Sequence, residues 1–198
     1  LWSTGATTAS ITVAPTMNTT YSVTVTNANS CISNTSTTIT VNPLPTPNIS
    51  ITELSGTSNN DGTICNGASV TLTAFGGNQF LWSTGASTSA ITVSPMATTT
   101  YIVTVTNAAN CSNTASVTIT VNPLPVISIA VTENSGTTSN DGTICQGASA
   151  TLSASGANTY LWSTGASTSA ITVAPLSSTT YTVTGTDTNV CSNTLSRQ

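Results

Sequence analysis

Apolar and polar residues alternate along several short stretches of the chain. Val70, Leu72 and Ala74 are separated by single threonines, and the stretch 101–106 alternates in the same way. A period of two, carried by β-branched and aromatic residues, is typical of β-strands with one buried face. No stretch shows a comparable helical stripe, and Gly, Asn and Pro recur every several residues, as they do in turns. The pattern therefore predicts an all-β fold.

The central part of the chain contains enough alternating stretches to form two sheets. We predict seven short strands there, at residues 48–54, 62–65, 69–75, 79–83, 89–93, 99–106 and 115–121. Seven short strands, each with one apolar face, can bury those faces by packing as two sheets. The predicted architecture is an immunoglobulin-like β-sandwich.

The chain repeats itself at a fixed interval. The sequence LWSTGA begins at Leu1, Leu81 and Leu161, an interval of 80 residues, and VNPLP recurs at the same interval from Val41 to Val121. A period without insertions indicates that each copy is one structural unit. The paired prolines of NPLP end β-ladders, so they mark short, stiff linkers. We predict tandem units: a first segment (1–45) holding only C-terminal strands, a complete middle segment (46–125) and a third segment (126–198) lacking its last strand.

Four aromatic residues are predicted to lie in the cores of these units. Trp82 and Trp162 lie on the strand where immunoglobulin-like sandwiches often bury a tryptophan. Tyr101 and Tyr181 begin the strand that leads toward the following cysteine. We therefore expect packing roles for all four and no ligand platform.

The repeated motifs resemble those of a known group of proteins. In the middle segment they read ICNGASVTLTA, LWSTGASTSAITVSP, TTTYIVTVTNAANC and ASVTITVNPLP. The combination is similar to the Ig-like or PKD-like repeats of large surface proteins in Bacteroidota, many of them type IX secretion substrates. The resemblance implies tandem arrays, export and an adhesive or structural role. Arg197 departs from the pattern, because it stands where Val117 would recur.

The cysteine spacing predicts disulfides within units. Cys65 precedes Cys111 by 46 residues, and Cys145 precedes Cys191 by the same interval. We predict these two pairs, each contributing roughly 4 kcal/mol by the chain-entropy argument, and an oxidising compartment. Cys31 would pair with a position 46 residues earlier, before the first residue given. Zinc is the competing interpretation, but the chain has no CxxC and no histidine.

The amino-acid composition argues against several classes of function. The chain has a net charge of -4, with one Lys or Arg residue and no His. A nucleic-acid partner requires a basic surface, and general acid–base catalysis would fall to very few carboxylates. No apolar run is long enough for a transmembrane helix. We predict no enzyme activity, no cofactor and no catalytic or metal-binding residue.

Two Asn-Asp-Gly sequences are candidates for calcium loops. Asp61 and Asp141 each precede a glycine, and Glu53 and Glu133 lie eight residues before them. Calcium loops normally supply several carboxylates, whereas Asp-Gly is common in tight turns. The turn is favoured, and calcium remains the alternative.

These observations predict a structural repeat region of an extracellular, cell-surface fibre, stalk or filament. The edge strands of β-sandwiches usually carry charged residues that prevent pairing with the edge of another sheet, and this chain has very few of them. We therefore expect self-association into a homopolymeric filament or array. The alternatives are an adhesin module that binds a surface glycan or protein, and an accessory domain of a secreted enzyme.

Overall fold

The structure, a computed structural model, describes residues 1–133, 135–136 and 138–198. Within those ranges the regular elements are fifteen β-strands, so the predicted all-β class is confirmed. Over the same ranges no helix is long and apolar enough to cross a membrane.

The first segment forms a single antiparallel hairpin. Its strands are β1 (Thr19–Thr26) and β2 (Ile32–Ile39), and Trp2 forms an isolated bridge with Val23. Val25 is 58% exposed, whereas its counterpart Val105 in the middle segment is fully buried. The difference arises because, among the described strands, this hairpin is a two-stranded sheet without an opposing sheet.

The middle segment contains the seven strands predicted for it. They are β3 (Asn48–Thr52), β4 (Thr63–Cys65), β5 (Val70–Phe75), β6 (Gln79–Trp82), β7 (Ala90–Val93), β8 (Thr99–Thr106) and β9 (Ser112–Asn122). One sheet has the order β3-β5-β7 and the other β4-β9-β8-β6. All pairings are antiparallel except that of β4 with β9, which is parallel. The main departure from the prediction is the greater length of β9.

Both sheets of the middle segment contribute to one core. Leu72 on β5 and Ile91 on β7 belong to the first sheet, and Trp82 on β6 and Val103 on β8 belong to the second. The alternating apolar side chains of both sheets are therefore buried against each other, as in a β-sandwich.

The third segment repeats most of this arrangement. Its strands are β10 (Ser128–Glu133), β11 (Ala150–Ser155), β12 (Thr159–Trp162), β13 (Ala170–Val173), β14 (Tyr181–Thr186) and β15 (Ser192–Arg197). The sheets have the orders β10-β11-β13 and β12-β14-β15. Residues 143–145, the counterparts of β4, form no strand; the positions that would match its partner residues 120–122 lie beyond residue 198.

The linker prolines are packed against the segment that follows them. Pro45 and Pro125 are both buried. Asn113 Nδ2 donates a hydrogen bond to the carbonyl oxygen of Pro45, and Asn193 Nδ2 donates to that of Pro125, each at 3.1 Å. The same contact therefore fixes both linkers.

Candidate functional site: the junction of the middle and third segments

A disulfide joins the middle segment to the third. It links Cys65 to Cys191, with 5.5 Å between their Cα atoms and a sequence separation of 126. Cys65 is the last residue of β4, and Cys191 directly precedes β15. The bond is thus a covalent joint between two sets of sheets.

The predicted pairs Cys65–Cys111 and Cys145–Cys191 were wrong. Cys65 lies opposite Asn122, the last residue of β9, and Cys111 directly precedes the first residue of the same strand. A strand of eleven residues separates the two cysteines by about 35 Å along the sheet, whereas a disulfide requires Cα atoms within about 7 Å. Cys111 and Cys145 are free thiols, as is Cys31.

A side-chain-capped turn presents Cys191 to the joint. Asp187 Oδ1 accepts hydrogen bonds from the backbone N–H groups of Asn189 at 2.8 Å and of Cys191 at 2.9 Å. Val190 completes the turn with a φ of 61°, a conformation that a β-branched residue rarely adopts. The Asp187 carboxylate therefore fixes the backbone on both sides of Val190.

The other half of the joint is also held by local hydrogen bonds. Ser55 Oγ accepts a hydrogen bond from the backbone N–H of Cys65 at 3.3 Å, and the carbonyl oxygen of Cys65 accepts one from Ala68 at 2.9 Å. A Cβ atom added to Gly56, beside Ser55, would lie 4.0 Å from the carbonyl oxygen of Asn189 in the third segment. The loop 53–62 thus passes near the neighbouring segment, beside the disulfide.

A buried carboxylate organises that loop. Glu53 is 3% exposed, and its two carboxylate oxygens accept hydrogen bonds from the backbone N–H groups of Ser55 at 2.9 Å and Asp61 at 3.1 Å. Asn60 Oδ1 accepts a hydrogen bond from the backbone N–H of Glu53 at 3.0 Å. This role of Glu53 was not predicted, although a glutamate eight residues before each Asp-Gly is a sequence signal for it.

The same carboxylate loop recurs in the third segment. Glu133 is 2% exposed and accepts hydrogen bonds from the backbone N–H groups of Ser135 and Asp141, at 3.1 and 3.0 Å. Asp141 Oδ1 in turn accepts the backbone N–H of Thr143 at 2.7 Å. These carboxylates are engaged by the backbone, and the described residues contain no group of three His, Cys, Asp or Glu that could hold a metal ion. The geometry favours the turn interpretation over the calcium alternative.

The predicted core aromatics lie in or against the cores. Trp82 and Trp162 are each 2% exposed, and their Nε1 atoms donate to the carbonyl oxygens of Thr88 and Thr168 at 3.0 and 2.9 Å.

The two tyrosines differ in burial. Tyr101 is 7% exposed, and Tyr181 is half-buried against the core of the third segment. Burial raises the pKa of the Tyr101 hydroxyl above its ordinary value.

The third segment also contains a cavity of about 550 Å³, lined in part by Val131, Leu152, Tyr181 and Arg197. Arg197 Nη2 donates to the carbonyl oxygen of Asp141 at 3.0 Å at its rim.

In comparison with known proteins, no family model matches this chain and no curated protein matches it.

Proposed function

We propose that this chain is a structural region of an extracellular fibre, stalk or surface filament, built from immunoglobulin-like sandwich units that provide reach and stiffness. The observation that carries the proposal is the Cys65–Cys191 disulfide, which joins two successive segments. A bond placed between units constrains their relative position, a task suited to a load-bearing array.

Two independent constraints act at this junction. The disulfide connects β4 to the turn before β15, and the hydrogen bond from Asn193 holds the Pro125 carbonyl against β15. Domains joined by a linker alone usually move relative to one another. A covalent bond and a fixed proline linker together remove most of that freedom.

The chemistry of the chain supports an extracellular setting. Disulfides persist in oxidising compartments and are rare in the cytosol. The surface is made mainly of uncharged residues, since charged residues make up 3% of the chain. Export is also what the resemblance to bacterial surface repeats implies.

Small-angle X-ray scattering of the oxidised chain tests the proposed stiffness. We expect one extended arrangement of the segments to account for the data, and Cys191→Ser to require a broad ensemble of arrangements. Cys31→Ser is the matched control, because it removes an exposed free thiol and leaves the joint intact. If the oxidised chain and Cys191→Ser scatter as the same flexible ensemble, the proposal fails.

A further inference from the structure

We propose that Asn66 is a site of spontaneous deamidation, and that this modification weakens the support of the Cys65–Cys191 disulfide as the protein ages. Asn66 directly follows Cys65, and it is the only asparagine of the sequence that precedes a glycine. Asn66 and Gly67 form the turn between β4 and β5, and a hydrogen bond of 2.9 Å from Ala68 N–H to the carbonyl oxygen of Cys65 closes that turn. The reaction does not depend on the proposed structural role, although it acts on the same joint.

The reaction needs only this turn and water. The backbone nitrogen of Gly67 attacks Cγ of Asn66, a C–N bond forms, and the side-chain nitrogen leaves as ammonia together with the proton of the attacking nitrogen. The product is a five-membered imide ring, whose closure is favoured because both reacting groups are held next to each other. Water then opens the ring at either carbonyl group and yields aspartate or isoaspartate. In isoaspartate the backbone passes through the side-chain carbon atoms and is longer by one methylene group.

The attacking nitrogen of Gly67 is unobstructed. Gly67 is exposed, and a Cβ atom added to it would meet nothing within 4 Å. Within the part of the chain that the structure describes, its N–H donates no hydrogen bond to another protein group. Glycine also lacks the side chain that would hinder the approach to Asn66. The nitrogen is therefore solvated and available for the attack.

The side chain of Asn66 is held only weakly. Its Nδ2 donates to the carbonyl oxygen of Met96 at 3.5 Å, which is long for a hydrogen bond of this type. Asn113 and Asn193 provide a comparison, because each donates to a linker carbonyl oxygen at 3.1 Å. The amide of Asn66 can therefore turn toward the Gly67 nitrogen at the cost of one weak contact.

The third segment carries a different pair at this place in the period. Gln146 and Gly147 stand where the middle segment has Asn66 and Gly67. The N–H of Gly147 donates to the carbonyl oxygen of Pro175 at 3.3 Å, and a glutamine would have to close a larger ring. The turn after Cys145 thus has an engaged nitrogen and a less reactive side chain, so it serves as a control within the same chain.

Deamidation changes the end of β4 beside the disulfide. The N–H of Asn66 donates to the carbonyl oxygen of Asn122 at 2.8 Å, and this bond extends the pairing of β4 with β9. The new carboxylate has no N–H to offer to the carbonyl oxygen of Met96, and the longer backbone of isoaspartate displaces the bond from Ala68 to Cys65. Because Cys65 then loses support on its C-terminal side, the disulfide becomes more accessible to an attacking thiolate.

Peptide mapping of the aged protein tests the site. The oxidised chain is incubated at physiological pH and temperature, and peptic peptides are analysed by mass spectrometry at intervals over several weeks. A protein isoaspartate methyltransferase with labelled methyl donor measures isoaspartate in the same samples. Asn66→Gln is the matched control, because it places the residue of the third segment in the turn of the middle segment.

We expect Asn66 to convert several times faster than any other asparagine, Gln146 to remain unchanged, and Asn66→Gln to lose most of the isoaspartate signal. Asn29 is the reference, because it is exposed and precedes a serine. Conversion of Asn66 at the same rate as Asn29, or at a lower rate, would overturn the proposed site.

Reduction under native conditions tests the effect on the joint. Fresh chain, aged chain and Asn66→Asp are treated with dithiothreitol, and alkylation of Cys65 and Cys191 measures loss of the bond. Asn66→Asp carries the new charge without the longer backbone. We expect the aged chain to lose the disulfide several times faster than the fresh chain, with Asn66→Asp between them. Equal rates for aged and fresh chain would overturn the proposed effect. Neither failure bears on the scattering test, which uses freshly prepared protein.

Discussion

Asn193 donates a hydrogen bond from Nδ2 to the carbonyl oxygen of the buried Pro125 at 3.1 Å, and so ties β15 to the linker that begins its own segment. Asn113 and Pro45 repeat the contact. Because proline has no N–H, the linker is held through its carbonyl group, and the asparagine side chain supplies the donor.

Asn193→Ala should therefore lower the free energy of unfolding by about 1–3 kcal/mol, because a buried carbonyl loses its donor. Asn113→Ala should have a similar effect in the middle segment. Urea denaturation provides the measurement, with Thr194→Ala at an exposed neighbouring position as control. Equal stability of Asn193→Ala and the control would show that water replaces the amide.

Glu53→Gln should destabilise the middle segment by about 2–3 kcal/mol. One carboxylate oxygen that accepts a backbone N–H becomes an amide nitrogen, and the hydrogen bond to the other oxygen loses its charge. Asp61→Asn is the control, because the oxygen that accepts Thr63 N–H can remain. Chemical denaturation compares the variants, and a smaller loss for Glu53→Gln than for Asp61→Asn would contradict the assigned role.

Val190→Asn should stabilise the third segment by about 1 kcal/mol. The φ of 61° is costly for a β-branched residue and is tolerated by asparagine, which stands at the matching position 110 with a φ of 59°. The reciprocal change Asn110→Val should destabilise by a similar amount. Thermal unfolding measures both, and effects of the same sign would show that turn conformation is not the cause.

Stability should decline in alkaline solution. Burial raises the pKa of Tyr101 above its ordinary value of 10.0, so the unfolded chain releases this proton at a lower pH than the folded chain does. The contribution of the Tyr101 hydroxyl to the free energy of unfolding is then fully present below about pH 10, and it is lost as the pH rises through the folded-state pKa. Tyr101→Phe should reduce this slope in urea denaturation at pH 9–11, and an unchanged slope would exclude Tyr101 as its source.

The strands could be predicted from sequence because their signal is local. Alternation around Val70, Leu72 and Ala74 reports a buried face directly, and the structure places β5 there with these three residues buried. Turn residues bound each stretch, so the positions of the elements follow within a few residues.

The joint could not be predicted in the same way. Equal spacing suggested Cys65–Cys111, but that spacing says nothing about the parallel pairing of β4 with the far end of β9. The roles of Glu53 and Asn193 also depend on which backbone groups the fold leaves without partners, and this becomes visible only in three dimensions.

The Cys65–Cys191 bond also determines how the chain responds to tension. A force applied at its two ends passes through the sulfur atoms, so the 126-residue interval between them cannot lengthen while the bond is intact, even if its strands separate. About 400 Å of extended polypeptide is thereby held in reserve as hidden length. Reduction of the Cys65–Cys191 bond would allow this interval of the chain to extend under the same force.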